Sequence, residues 1–150
     1  MFDRKYRGFN MSRKIELTIK SCQKYPDDGR VEEINSSTEG LIYRKNRLHY
    51  LVYNDYSAGL SGVRTTIKID QACERVLIIR AKPYEYQQTF VNGKKEKGSY
   101  QTNYGRIKTA VLTEELKIDL RDKKGSILID YKLYFNGQYT SRNNLLINWV

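Results

Sequence analysis

Apolar and polar residues alternate with a period of two along most of this chain, the signature of strands with one face buried. Ile15, Leu17 and Ile19 are interleaved with Glu16, Thr18 and Lys20, which predicts a first strand. The Pro, Asp and Gly of Lys24–Arg30 predict a turn. A second strand is expected from Val31 to about Arg44, with Gly40 marking a bulge or bend. Lys45-Asn46 reads as a short hairpin turn into a third strand, Arg47–Tyr53, with Leu48, Tyr50 and Val52 on one face and His49, Leu51 and Tyr53 on the other. The polar stretch Asn54–Gly62 is a connection. Val63, Thr65, Ile67 and Ile69 then oppose Arg64, Thr66 and Lys68 in a fourth strand.

A fifth strand, Arg75–Ala81, is almost wholly apolar before Arg80, and Pro83 ends it because proline cannot donate to a ladder. Tyr84–Val91 and Lys94–Thr102 flank Asn92-Gly93, the strongest hairpin signal in the chain, expected as a type I′ turn with φ positive at both central residues. Tyr104-Gly105 turns into an eighth strand, Arg106–Leu112, and a ninth follows at about Leu116–Leu120. Thr113–Leu120 is the one helix candidate, but Leu116, Ile118 and Leu120 alternate and are read as strand. A turn at Arg121–Gly125 leads to Ser126–Phe135, a second Asn-Gly hairpin at Asn136-Gly137, and a last strand, Gln138–Val150. About ten short strands joined by tight turns predict an all-β fold. Hairpin-only connections favour a single antiparallel up-and-down barrel of about 8–10 strands, whose closure removes exposed edges. The expected organisation is a flexible basic tail at residues 1–13 and one barrel domain at residues 14–150.

Composition adds limits. A chain of 150 residues has one-domain length and needs no disulfide or metal to staple a core. No apolar run approaches a membrane span, and the charged start has no secretory pattern. Cys22 and Cys73 lie far apart and read as ordinary reduced thiols, so the cytoplasm is the expected location. The net charge of +10 is concentrated in two places: +4 over residues 1–14 and +5 over residues 80–108. Lys82, Lys94, Lys95, Lys97, Arg106 and Lys108 make the second a candidate nucleic-acid footprint. The competing reading, given more weight, is that these lysines solvate loops and strand faces.

Thr38-Glu39-Gly40 leading to Tyr43, then Leu48–Tyr53 and Arg64-Thr65-Thr66-Ile67-Lys68-Ile69, resembles the YwiB-like family. Ile79-Arg80, Phe90, Tyr100-Gln101-Thr102 and Tyr104-Gly105 extend the resemblance in order over nearly all of residues 14–150. It implies a small bacterial β-barrel of calycin-like (lipocalin-like) architecture, in a family of unknown function. Two positions depart from the family's usual pattern: Ala81-Lys82 stand in place of Ser-Gly, and Asn103 in place of Pro.

The candidate chemistry is sparse. His49 is the only histidine, so no histidine cluster for a metal is expected, and no nucleophile motif or phosphate loop is present. The chain is therefore expected not to be an enzyme and to use no cofactor. Arg80 stands out because it shares an apolar face with Val76 and Ile78 and so points inward, where an arginine needs a partner. Glu39, a tyrosine hydroxyl, a backbone carbonyl or a ligand's acid group are the candidates. Tyr50, Tyr53, Tyr100 and Tyr104, with Thr66, complete the candidate binding set. Arg80 as a structural plug is set ahead of Arg80 as a ligand anchor. The leading functional expectation is a binding module with a small interior cavity for an amphipathic anion. The alternatives are a barrel that contacts RNA or DNA, and an interaction module that uses its outer surface.

Overall fold

Inward-facing residues at every second position draw the strands into one closed wall. The computed structural model describes residues 12–57 and 60–150. Its strands are β1 (Arg13–Lys24), β2 (Val31–Lys45), β3 (Leu48–Asp55), β4 (Val63–Asp70), β5 (Arg75–Arg80), β6 (Tyr86–Val91), β7 (Lys95–Thr102), β8 (Gly105–Leu120), β9 (Gly125–Phe135) and β10 (Gln138–Trp149). Each pairs antiparallel with its neighbours in the chain, and β1 pairs with β10 to close the barrel. The expected all-β, up-and-down antiparallel barrel is thus observed with ten strands, and no described residue is helical. Of the expected tail, residues 1–11 lie outside the described residues and Arg13 already belongs to β1.

The core is the expected alternating set. Leu17, Leu51, Ile67, Ile69, Val76, Phe90, Val111, Ile127, Ile129 and Ile147 point into the lumen and are essentially inaccessible. Ile15, Leu116 and Trp149 pack with them.

Four local expectations are corrected. The eighth and ninth strands are one 16-residue strand, β8. Its register shifts between Thr113 and Glu115, so Glu114 is a bulge. That extra residue moves the buried positions from odd (Thr109, Val111, Thr113) to even (Leu116), which in the sequence resembled an interruption. Gly40 is not a bulge, because both of its ladders run through it in register. Glycine is needed there because a Cβ would stand 2.8 Å from the Val52 carbonyl oxygen. The first hairpin turns on Asn46-Arg47, both at positive φ (52° and 70°), one residue later than expected. Asn136-Gly137 has positive φ at both residues (48° and 84°), as a type I′ turn requires. At Asn92-Gly93 only Gly93 does (77°), so the type I′ expectation fails there.

The reason is visible in the ladder. β6 and β7 pair only over Tyr86–Gln88 and then separate. The turn beyond them is closed by Lys94 N–H donating to the Val91 carbonyl and is also held from other strands: Asn92 N–H donates to the Glu74 carbonyl, and Gly93 N–H to the Thr113 carbonyl. Gln88 fills the opening. Its side-chain amide donates to the Thr89 carbonyl at 3.0 Å and the Glu96 carbonyl at 3.2 Å, while the Thr109 hydroxyl donates to its Oε1 at 2.8 Å.

Candidate functional site

Register carries one layer of side chains around half of the barrel. Tyr53 on β3 faces Thr65 on β4, Thr65 faces Arg80 on β5, Arg80 faces Tyr86 on β6, and Tyr86 faces Tyr100 on β7. Paired residues share a face, so the burial of Tyr53 and Thr65 fixes Arg80 as an inward residue. It is the last residue of β5, where the apolar layers end.

Arg80 has an acid beside it, and it is not Glu39. Nη2 of Arg80 stands 3.7 Å from Oδ2 of Asp55, a residue 7% exposed at the end of β3. The other carboxylate oxygen of Asp55 is committed locally: it accepts from the Ser57 N–H at 2.9 Å and from the Ser57 hydroxyl at 2.5 Å. The ion pair is therefore one-sided and beyond direct hydrogen-bond length. Nε of Arg80 is buried without a hydrogen-bond partner, and the Tyr86 ring lies 5.2 Å from the guanidinium carbon.

Phenols surround this charge. Tyr86 meets Tyr100 edge to face at 6.3 Å, and Tyr131 on β9 meets Phe90 at 4.9 Å. Burial pushes the Tyr131 hydroxyl up to about 12, against the lowering effect of Arg80. Burial, then the neighbouring Tyr131, raises Tyr86; burial, then Asp55, raises Tyr53. Tyr86 and Tyr131 are half-buried. All three stay protonated at neutral pH and can donate as well as accept hydrogen bonds. The arrangement can hold an acid group on the guanidinium, apolar matter against the rings and a polar atom on a phenol.

The expected binding set divides. Arg80 and Tyr53 line the interior, and Tyr100 joins them through Tyr86. Four residues do not. Glu39 is exposed on the outer face, opposite Glu16. Tyr50 stacks on Tyr43 outside the barrel at 4.9 Å, with Lys68 above it. Thr66 alternates with buried Thr65 and so faces outward, and Tyr104 is 100% exposed in its turn. Asp55, Tyr86 and Tyr131 were missed. Continuing the Leu51, Tyr53 alternation two residues further would have found Asp55, and the alternations Tyr86-Gln88-Phe90 and Ile127-Ile129-Tyr131 place the two tyrosines.

The basic candidates are all exposed. Lys95, Lys97 and Lys108 stand on the outer face of β7 and β8, and Nζ of Lys95 lies 4.0 Å from the centre of the Tyr134 ring. Arg106 is paired with Glu85 at 3.3 Å. Among the described residues no group of three His, Cys, Asp or Glu side chains could hold a metal ion, and no helix is long and apolar enough to cross a membrane.

These features define a closed ten-strand antiparallel barrel with a mainly apolar lumen and an arginine at its mouth. The comparisons with known proteins agree with that class. Residues 17–147 match the model described as "Domain of unknown function (DUF1934)", and the chain belongs to that family. It is 27% identical over 139 residues to a protein of Bacillus subtilis (strain 168) described as an uncharacterized beta-barrel protein, YwiB, covering 93% of this chain and 96% of that one. The crystal structure of the ywiB protein from Bacillus subtilis superposes with a TM-score of 0.82, covering 98% of this chain and 97% of that one.

Proposed function

We propose that the chain is a non-enzymatic binding module that seats a small amphipathic anion in the mouth of the barrel, with its acid group on Arg80. One observation carries this reading: the inward guanidinium has a single acid at 3.7 Å and a buried Nε without a partner. A buried donor left unmade is costly, and a carboxylate or phosphate oxygen would satisfy it. Tyr53, Tyr86 and Tyr131 supply the apolar bodies and neutral donors such a ligand needs. A cytoplasmic setting fits, since unbridged Cys22 and Cys73 stay reduced there.

The test is native mass spectrometry of the protein as purified from cells, beside the double variant Arg80→Met, Asp55→Asn. That variant removes both charges together, so neither is left unpaired. The expected result is extra mass on the wild type and none on a variant that stays folded. A wild type without extra mass, and without affinity for medium-chain fatty acids or acyl phosphates in a direct screen, overturns the reading.

A second reading rests on Tyr134. Lys95 over its ring, with Lys97 and Lys108 beside it on an outer face, offers a stacking surface within a positive stripe for single-stranded nucleic acid. Its test is retention on single-stranded RNA that falls steeply with salt and is lost on replacing Tyr134 and Lys95 with Ala.

A further inference from the structure

The barrel is closed, but its wall is not complete. β2 pairs with β1 over Val31–Ile42 and with β3 only over Gly40–Lys45. From Val31 to Thr38, therefore, the side of β2 that would meet β3 has no strand on it. The direction of each backbone group along this stretch follows from the ladder. Glu16 exchanges both of its bonds with Val150, so the even residues of β1 point to β10 and the odd residues point to β2. Leu17, Ile19, Ser21 and Gln23 therefore take up Thr38, Ser36, Ile34 and Glu32. The N–H and C=O groups of Val31, Glu33, Asn35 and Ser37 point the other way, to the open side, while Glu39 flanks the Gly40–Tyr53 pair at which the ladder to β3 begins. Among the described residues no turn or loop backbone group bonds to those four.

Three features distinguish this edge from one closed by design. It holds no proline, no lysine and no bulge, the devices that usually block strand addition. It borders a cleft of about 310 Å³ lined by Ile34, Ser36, Thr38, Tyr53, Asp55 and Tyr56. And the lumen-side residue Ile34 is 37% exposed there, with Val31 53% exposed at the end of the edge. An added strand would bury Ile34 and the mouth of the cleft in one step.

Charge selects the occupant. In a chain of net charge +10, Val31–Glu39 holds Glu32, Glu33 and Glu39 and no Lys or Arg. Arg30 answers Glu32 at 3.8 Å, whereas no described cation stands within salt-bridge distance of Glu33 or Glu39. Lys14 and Lys20 lie on β1, across β2 from the open side. Two copies joined edge to edge would crowd six glutamates onto adjacent strands, which disfavours self-pairing. We infer that the free edge of β2 is a docking site for an extended peptide segment of a partner protein, one that alternates basic side chains, set against Glu33 and Glu39, with apolar ones set over Ile34 and the cleft. The backbone ladder would supply affinity, and the alternation specificity.

The probe is a fluorescent eight-residue peptide of alternating Lys and Val, compared with one of alternating Glu and Val. The expected result is saturable binding of the first and not the second, with slowed hydrogen exchange at the N–H groups of Val31, Glu33, Asn35 and Ser37. Ser37→Pro deletes one edge N–H without touching the β1 ladder and should weaken binding about tenfold, while Ser37→Ala, which keeps it, should leave affinity unchanged. Trp149 fluorescence reports that both variants are folded. The inference is overturned if the peptide does not bind or binds both Ser37 variants equally. It is also overturned if sedimentation shows a dimer that Ser37→Pro dissociates, since a second copy then holds the edge. Slow exchange of those amides in the peptide-free monomer overturns it too, since the chain then covers its own edge.

Discussion

Arg80 and Asp55 face each other across the mouth of the barrel at 3.7 Å, each from the end of its own strand. Neither is fully enclosed: the Arg80 side chain is 22% exposed and that of Asp55 9%. Asp55 is anchored by Ser57, so the carboxylate is fixed and the arginine is the movable partner.

That asymmetry predicts unequal variants. Arg80→Met keeps much of the stem but leaves a buried carboxylate without its cation, and should cost about 2–4 kcal/mol, below the range for a fully enclosed pair because of the residual exposure. Asp55→Asn keeps the acceptor for Ser57 and should cost less. The double variant should recover most of the loss. Urea denaturation of the four proteins checks this; additive losses would mean that the two charges do not interact.

The barrel itself was legible because its evidence is redundant: most strands repeat the period of two, and most turns are marked by Gly, Asn, Asp or Pro. What the sequence hid are places where one residue changes the parity or the neighbour. Glu114 shifts β8 by one position, so a single strand looks like two. The partner of Arg80 could not be read off because register, not proximity in sequence, sets it. Glu39 and Asp55 both lie near inward tyrosine or glycine positions, but only Asp55 keeps step with Leu51 and Tyr53. Tyr50 and Thr66 show the same rule from the other side. They are one residue out of phase with the buried set, and that places them on the outer wall.

Gln88 closes the opening between β6 and β7, and it is completely buried. Gln88→Leu keeps the volume near that of the amide but strands the Glu96 and Thr89 carbonyls and the Thr109 hydroxyl. A loss of about 2–3 kcal/mol is expected. Combining it with Thr109→Val, which removes the stranded hydroxyl, should recover part of that loss. A Gln88→Leu variant with an unchanged urea midpoint would show that the opening is closed by packing instead.

Gly93 and Gly137 have positive φ of 77° and 84°, and a Cβ at either would meet nothing within 4 Å. Any penalty there is therefore conformational and not steric crowding. Replacing either with Val should destabilise by about 1 kcal/mol or more. Gly137→Asn should be milder than Gly137→Val, since Asn tolerates that region. Equal midpoints for the Asn and Val variants would contradict the turn geometry.

The phenols around Arg80 make an alkaline prediction with a definite sign. Burial raises Tyr131 from 10.0 to about 12, and it moves Tyr53 and Tyr86 in the same direction. In the unfolded chain these groups release their protons near 10, while in the barrel they hold them longer. The unfolded state thus binds fewer protons in that window, and stability falls as pH rises through it. The contribution is complete below pH 10 and is lost towards and beyond about 12. Phenolate absorbance of the folded protein should therefore rise in two stages, the later one from Tyr53, Tyr86 and Tyr131. Unfolding in urea should merge the two stages. Arg80→Met should push the late stage higher, because the guanidinium lowers all three groups. A single stage in the folded protein, or a late stage that ignores the loss of Arg80, would place these hydroxyls away from the charge and out of the mouth of the barrel.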